Sequence, residues 1–316
     1  MSSFRQRLLI AALLLEVGIA GACGARTALR LPEDDGEADD SIADASLDRD
    51  ASFDVATEDA EELPDVIEEG LPECDPDALY VYLVTEQTVL YRFDPATNNF
   101  VNKGFLQCPA SGGATPFSMG VNRKAQAFVV YNNGELFLTD VESGACVATD
   151  FEIGQSGFVT FGMGFAIDDD MMGESLYVAE ISFVEPPIGL GRIDTNTLEL
   201  DFIGSFSQTF GNAMELTSSD DGKLYAYNID ESGSGGWLLQ IDKATAEILE
   251  ATFLPIGEGA SALAFAYWGG DFYIFTAPQG EGTTVTRYRP SDGTTTVVAT
   301  LLEAVVGAGV STCKPR

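Results

Sequence analysis

Acid–base chemistry in this chain has to run on carboxylates, because none of its 316 residues is a histidine. Imidazole triads, histidine metal sites and imidazole proton shuttles are therefore excluded. No glycine-rich phosphate loop opens a helix. Four carboxylates stand where they could act. Glu180, Asp230 and Glu231 fall in or beside connections between the second and third strands of a repeating unit, and Glu215 falls just inside a first strand. In a ring of such units these positions share one face. Two carboxylates flanking a sugar could run its hydrolysis, with their spacing deciding the stereochemistry. The triplet Asp168-Asp169-Asp170 is a different case. A calcium loop needs oxygen ligands at alternate positions and a closing Glu. Met172 and Ala179 occupy two of those places, so a solvated turn is expected and no metal site.

A second pattern on the same face suits capture rather than catalysis. Thr115-Pro116-Phe117, Thr160-Phe161 and Thr209-Phe210-Gly211-Asn212 each place a threonine and an aromatic just before a first strand, with Phe158 nearby. Phe117, Phe158, Phe161, Phe210 and Asn212 are the candidate ligand contacts, since aromatic faces stack and a few polar groups orient a sugar or peptide. The competing reading makes these phenylalanines wedges between neighbouring units and the threonines turn caps.

The elements that must carry these residues repeat. Tyr80, Phe128, Tyr177, Tyr225 and Tyr273 follow one another at intervals of 48, 49, 48 and 48 residues, each in a short apolar run. A fixed period of this size marks a repeat architecture. An apolar run precedes the later aromatics, and a turn signature follows the first four: Asp94…Thr97, Asp140…Ser143, Asp194…Thr197 and Asp242…Thr245. An aspartate there can accept backbone N–H bonds two residues on and close a hairpin. The fifth unit has Arg289-Pro290-Ser291-Asp292-Gly293 instead. The apolar runs are rich in Val, Ile, Tyr, Phe and Leu, and beyond Leu79 no window of 12 or more residues shows a helical apolar period, so little helix is expected. Four short strands per unit predict the blades of an all-β, five-bladed β-propeller. A sandwich of separate hairpin pairs is the alternative, but sandwich strands do not keep so constant a period.

The ends of the repeat fit a closed ring. The first unit lacks a leading strand before Tyr80, and Val306–Thr312 reads as a leading strand with no blade after it. Joining the two completes blade one and removes an exposed sheet edge. The same arrangement selects among the three pairings open to Cys74, Cys108, Cys146 and Cys313. Cys74 precedes the first strand and Cys313 ends the closing one, so a bond between them replaces a missing turn, contributing about 4–5 kcal/mol on a chain-entropy basis. Cys108 leaves blade one and Cys146 lies in the outermost strand of blade two, so these two pair.

The fifth cysteine belongs to the leader. Arg5 and Arg7 precede the apolar Leu8–Leu15 and then small residues up to Cys23, the pattern of a secretory signal peptide that is too short for a comfortable membrane span. Ala20-Gly21-Ala22-Cys23 resembles the lipobox of bacterial lipoproteins, which implies that Cys23 becomes the lipid-modified first residue. Ala20 departs from the family's usual Leu, and Ala20-x-Ala22 also fits ordinary cleavage before Cys23 with free secretion. By the same resemblance, Gly24 after the cysteine implies sorting to the outer membrane. The expected organisation is a signal peptide (1–22), a lipidated mature N-terminus (23–31), a disordered acidic linker (32–72) and the propeller (73–316).

The linker carries seventeen acids against one base, a net charge of −16. It has too little apolar surface to offset ordering entropy, and its like charges push it open. As a flexible coil it would span about 35 Å, enough to hold the propeller off a membrane. Residues 73–316 carry 32 acids and 11 bases, a net charge of −21. Such a surface has no basic stripe for phosphates, so nucleic acid is excluded as a partner and a membrane is contacted through the anchor only.

The runs Leu79-Tyr80-Val81-Tyr82, Leu224-Tyr225-Ala226-Tyr227 and Leu239-Gln240-Ile241-Asp242…Thr245 resemble repeats of the quinoprotein-like, NHL and YVTN propeller group. That group includes dehydrogenases, scaffolds and binding proteins, so the resemblance implies a fold and not a function. Its quinone enzymes have tryptophan-rich repeats, whereas only Trp237 and Trp268 occur here, and no cofactor is expected. Five-bladed glycosidases use central carboxylates, but none of their motifs is present. The expected function is a lipid-anchored envelope propeller that binds an extracellular or periplasmic protein, peptide or glycan through one face, without catalysis. A glycan hydrolase using Glu180, Glu215 and Asp230 is the alternative.

Overall fold

The computed structural model describes residues 71–181, 187–208, 210–211, 213–230 and 232–315. The leader, Cys23 and nearly all of the acidic linker lie outside them. Twenty strands in five four-stranded antiparallel sheets make a five-bladed β-propeller. In chain order, β1 (Val81–Thr85), β2 (Val89–Asp94) and β3 (Asn99–Phe105) belong to blade one. Blade two is β4 (Pro116–Val121), β5 (Gln126–Tyr131), β6 (Leu136–Asp140) and β7 (Cys146–Ala148). Blade three is β8 (Phe161–Ile167), β9 (Glu174–Glu180), β10 (Leu190–Ile193) and β11 (Leu200–Gly204). Blade four is β12 (Glu215–Ser218), β13 (Leu224–Ile229), β14 (Gly236–Ile241) and β15 (Ile248–Leu254). Blade five is β16 (Ala260–Trp268), β17 (Asp271–Pro278), β18 (Thr283–Arg289) and β19 (Thr294–Leu301), and β20 (Val305–Gly309) returns to blade one. Among the described residues no helix is long and apolar enough to cross a membrane.

Strand position in the blade explains strand composition. β8 is buried along its whole length, whereas β3 and β19 are largely exposed. A strand with protein on both faces reads as a continuous apolar run, and one with a wet face does not. The core is correspondingly divided into five apolar clusters, each lying between two neighbouring blades. The recurring aromatics sit at these seams. Phe128 meets Phe165 of the next blade at 5.9 Å, Tyr225 meets Phe272 at 5.0 Å, and Tyr273 meets Phe93 across the closing seam at 5.8 Å. Aromatic pairs at such distances add to the gain from burying apolar area. Tyr80 stands just outside β1, partly buried against the seam of blades one and two, with the Arg92 guanidinium 4.3 Å over its ring.

The inner strands β20, β4, β8, β12 and β16 crowd the axis, because five blades leave little room there. Gly162 shows how little. A Cβ at that position would lie 1.9 Å from the backbone oxygen of Met214, so only glycine lets β8 come this close to the approach to β12.

The aspartate turns form as expected. Asp94, Asp140, Asp194 and Asp242 each accept a backbone N–H two residues on, at 3.0, 3.2, 2.7 and 2.9 Å. In the fifth blade Asp292 accepts from Thr294, and Gly293, at φ +70°, takes the left-handed position.

Closure runs as the sequence predicts but over a shorter strand. Leu83 pairs with Ala308 and Tyr82 with Gly309. The ladder stops at Gly309 instead of continuing to Thr312, because the chain upstream of β1 is a 3-10 turn (Pro76–Leu79) with no extended backbone to pair with. Residues 310–313 are fixed by other means. Ser311 Oγ donates to the Ala78 carbonyl at 2.6 Å, and Cys313 is bonded to Cys74 with Cα atoms 6.0 Å apart. Arg123 adds a clamp between both ends of the propeller: its Nε donates to the Pro72 carbonyl at 2.8 Å and its Nη1 to Thr312 Oγ1 at 3.1 Å. The second disulfide joins Cys108 to Cys146, with Cα atoms 4.5 Å apart.

Candidate functional site

The first residues of the inner strands open into a cavity of about 790 Å³ on the propeller axis. Its wall is mostly apolar and is built from several blades: Phe117 at the start of β4, Ile181 after β9, Ile229 at the end of β13, Leu263 in β16 and Val306 in β20. Polar groups sit among them. Glu86 and Gln87 come from the β1–β2 turn, and Asn132 from the β5–β6 turn. Asn132 is held in place by Thr115, whose Oγ1 accepts from its Nδ2 at 3.2 Å while the Thr115 N–H donates to its Oδ1.

Glu215, the first residue of β12, also lines the cavity although it is only 4% exposed. Ser118, in β4 two blades away, donates its hydroxyl to Glu215 Oε2 at 2.8 Å. The same Ser118 oxygen accepts the Met163 N–H of the intervening β8 at 3.2 Å. One serine thus ties three inner strands together beneath the cavity. Glu215 Oε1 has no partner among the described residues. Burial pushes the Glu215 carboxyl well above the usual carboxylate range, and the Ser118 hydrogen bond opposes this only in part.

The raised value has a consequence for stability. A carboxyl that is harder to ionise in the folded state than in the unfolded state lets the folded protein hold more protons between the two pKa values. The contribution of Glu215 to stability is then fully present below the ordinary carboxylate value near 4.5 and is lost as pH rises through the folded value. Thermal unfolding of the wild type should therefore decline more steeply over that window than that of Glu215→Gln, which keeps the raised carboxyl of Glu180. Parallel pH profiles for the two proteins would contradict this assignment.

The other predicted carboxylates do not join Glu215. Glu180, at the end of β9, is 8% exposed and accepts the Ile188 N–H of its own blade at 3.0 Å. Burial raises its pKa, and that hydrogen bond opposes the rise. Asp230 accepts from the Ser232 N–H at 3.0 Å and from Trp237 Nε1 at 3.1 Å, which shapes the turn after β13. Neither lines the cavity. Glu231 lies outside the described residues. The second carboxylate at the cavity is Glu86, which the sequence reading missed. It occupies in blade one the connection that Glu180 and Asp230 flank in theirs, so the same positional rule would have found it.

The aromatic candidates separate in the same way. Phe117 lines the cavity. Phe158 and Phe161 are completely buried, packed against Phe202 and Phe151, so their role as ligand contacts is corrected to that of wedges between blades two and three. Phe210 packs against Trp237 at 5.3 Å and does not line the cavity. Asn212 and Thr209 lie outside the described residues. The recurring threonine is a tie between the first two strands, as Thr160 shows by accepting the Ile181 N–H on its carbonyl and donating its hydroxyl to the Ile181 carbonyl. The Asp168–Asp170 triplet is a turn between β8 and β9, with Asp169 paired to Lys243 at 2.8 Å and Asp170 accepting from the Met172 N–H. Among the described residues no group of three or more Cys, Asp or Glu side chains is arranged to hold a metal.

No protein-family model matches the chain, and no curated protein does. Solved structures similar to it include TolB from Acinetobacter baumannii, at 14% identity over 71% of this chain and 54% of that one, with a TM-score of 0.41. A putative TolB from Agrobacterium tumefaciens is 14% identical over 75% and 82% of the two chains, with a TM-score of 0.41. The Dos1 propeller is 10% identical over 77% and 78%, with a TM-score of 0.41. The chain spans about half the length of the Acinetobacter TolB. Likenesses of this degree assign no ligand or activity.

Proposed function

We propose that this protein is an exported binding propeller of the cell envelope that captures a peptide or glycan ligand in its axial cavity without transforming it. The observation that carries the reading is the cavity itself: a funnel of about 790 Å³ with apolar walls and polar groups set among them, built from strand ends and turns. That is the form of a site that holds a ligand. Catalysis of glycan hydrolysis would need two carboxylates set across one bond. Of the three carboxylates that the hydrolase reading uses, Glu180 and Asp230 are instead turned to partners in their own blades, and Glu215 shares the cavity lining with Glu86. Two disulfides fit a chain that matures in an oxidising compartment. Lipid attachment at Cys23, an outer-membrane location and a stalk made by the acidic segment 32–72 complete the proposal.

The purified full chain should retain specific ligands on combined glycan and peptide arrays and release them unchanged in a broad glycosidase screen. Turnover that disappears in Glu215→Gln would replace this reading with the hydrolase.

A further inference from the structure

We infer that the funnel selects a primary ammonium carried on an apolar stem, as in a lysine side chain of an extended peptide, with Glu215 Oε1 accepting from the ammonium. The inference rests on the reading of this cavity as the binding face. Among the described residues, the ionisable side chains that line the cavity are Glu86 and Glu215, and no lysine or arginine lines it. A cation is therefore the charge it can complement. The walls formed by Phe117, Ile181, Ile229 and Leu263 give a methylene stem apolar contact. The net charge of −21 on residues 73–316 draws cations toward the protein.

The floor distinguishes one cation from another. A guanidinium binds a carboxylate best through two parallel hydrogen bonds, one to each oxygen. Ser118 already occupies Oε2. The one oxygen left suits an ammonium, which binds as a point charge. A buried carboxyl with one oxygen unmatched is also costly to ionise unless an opposite charge arrives. Among the described residues, the polar groups at this carboxyl are the Ser118 hydroxyl from β4, itself held by the Met163 N–H of β8, and Glu86 in the same cavity lining. Binding an ammonium should therefore ionise Glu215 and release a proton where the free protein holds it neutral.

The test is calorimetric titration of the full chain with four probes of equal stem length at fixed ionic strength: n-hexylammonium, n-hexylguanidinium, 1-hexanol and hexanoate. Hexylammonium is expected to bind at least about tenfold more tightly than the other three, with heats that differ between buffers of different ionisation enthalpy. Glu215→Gln should lose about that factor, and Glu86→Gln much less. The probe ranking on the wild type needs no variant, so a folding defect in either substitution leaves the test intact. Equal or tighter binding of hexanol, hexanoate or hexylguanidinium would overturn the ammonium assignment while leaving the cavity as a binding site. No binding of any probe would also overturn it. Array ligands that still bound would then preserve the broader reading, and their absence would remove both.

Discussion

Replacing Cys74 and Cys313 together by serine is expected to lower the unfolding free energy of the propeller by about 5 kcal/mol. The two residues are 239 positions apart in sequence, and cross-linking a chain over that length removes much of the freedom of its unfolded state. The site adds to the argument. The bond lies where blade one is assembled from both ends of the propeller, and the other ties there include the short β1–β20 ladder, the Ser311–Ala78 hydrogen bond, the Thr312–Glu174 hydrogen bond and the Arg123 clamp. Folded domains have about 5–15 kcal/mol in total, so the loss is large enough to threaten the fold. Urea unfolding under non-reducing conditions measures it. A loss below about 1 kcal/mol would mean that the ladder alone holds the ring closed, against the chain-entropy argument. The Cys108–Cys146 bond spans only 38 residues and should contribute about 4 kcal/mol on the same basis.

The parts of this fold that were legible in sequence are those governed by short-range rules repeated five times. An aspartate turn needs only an acid and the next few residues, and all four expected copies form. The aromatic period registers one inter-blade seam per unit, which is why it counts blades correctly. Closure could be read because a missing strand at one end matched a spare one at the other. Its true end at Gly309 could not, since it depends on Pro76–Leu79 folding as a 3-10 turn instead of a strand.

The site was less legible because it depends on how neighbouring blades are seated. Phe117 and Phe161 stand in the same local pattern, a threonine before and a first strand after. One faces the cavity and the other is sealed between blades two and three, and nothing within either motif distinguishes them. Glu215 was singled out by its place at the start of an inner strand. Its partner Ser118 is 97 residues away in sequence and looks like any small strand residue. The pairing exists only because β4, β8 and β12 meet around a narrow axis, which in turn depends on residues such as Gly162.

Filling the funnel should abolish ligand binding while leaving the propeller folded. Ala213 lines the cavity two residues before Glu215 and is only half-buried, so an indole there can project into open space without rebuilding the core. A tryptophan side chain would claim much of the volume that a ligand stem needs. Affinity for array-selected ligands should fall by at least about tenfold, equivalent to ~1.4 kcal/mol. The most direct measurement of whether this cavity is the binding site is a calorimetric comparison of wild type and Ala213→Trp with the same ligand, alongside their thermal unfolding. The account predicts that binding collapses in the variant while its melting temperature stays near that of the wild type. Undiminished affinity in a folded Ala213→Trp protein would contradict it and place recognition elsewhere on the molecule.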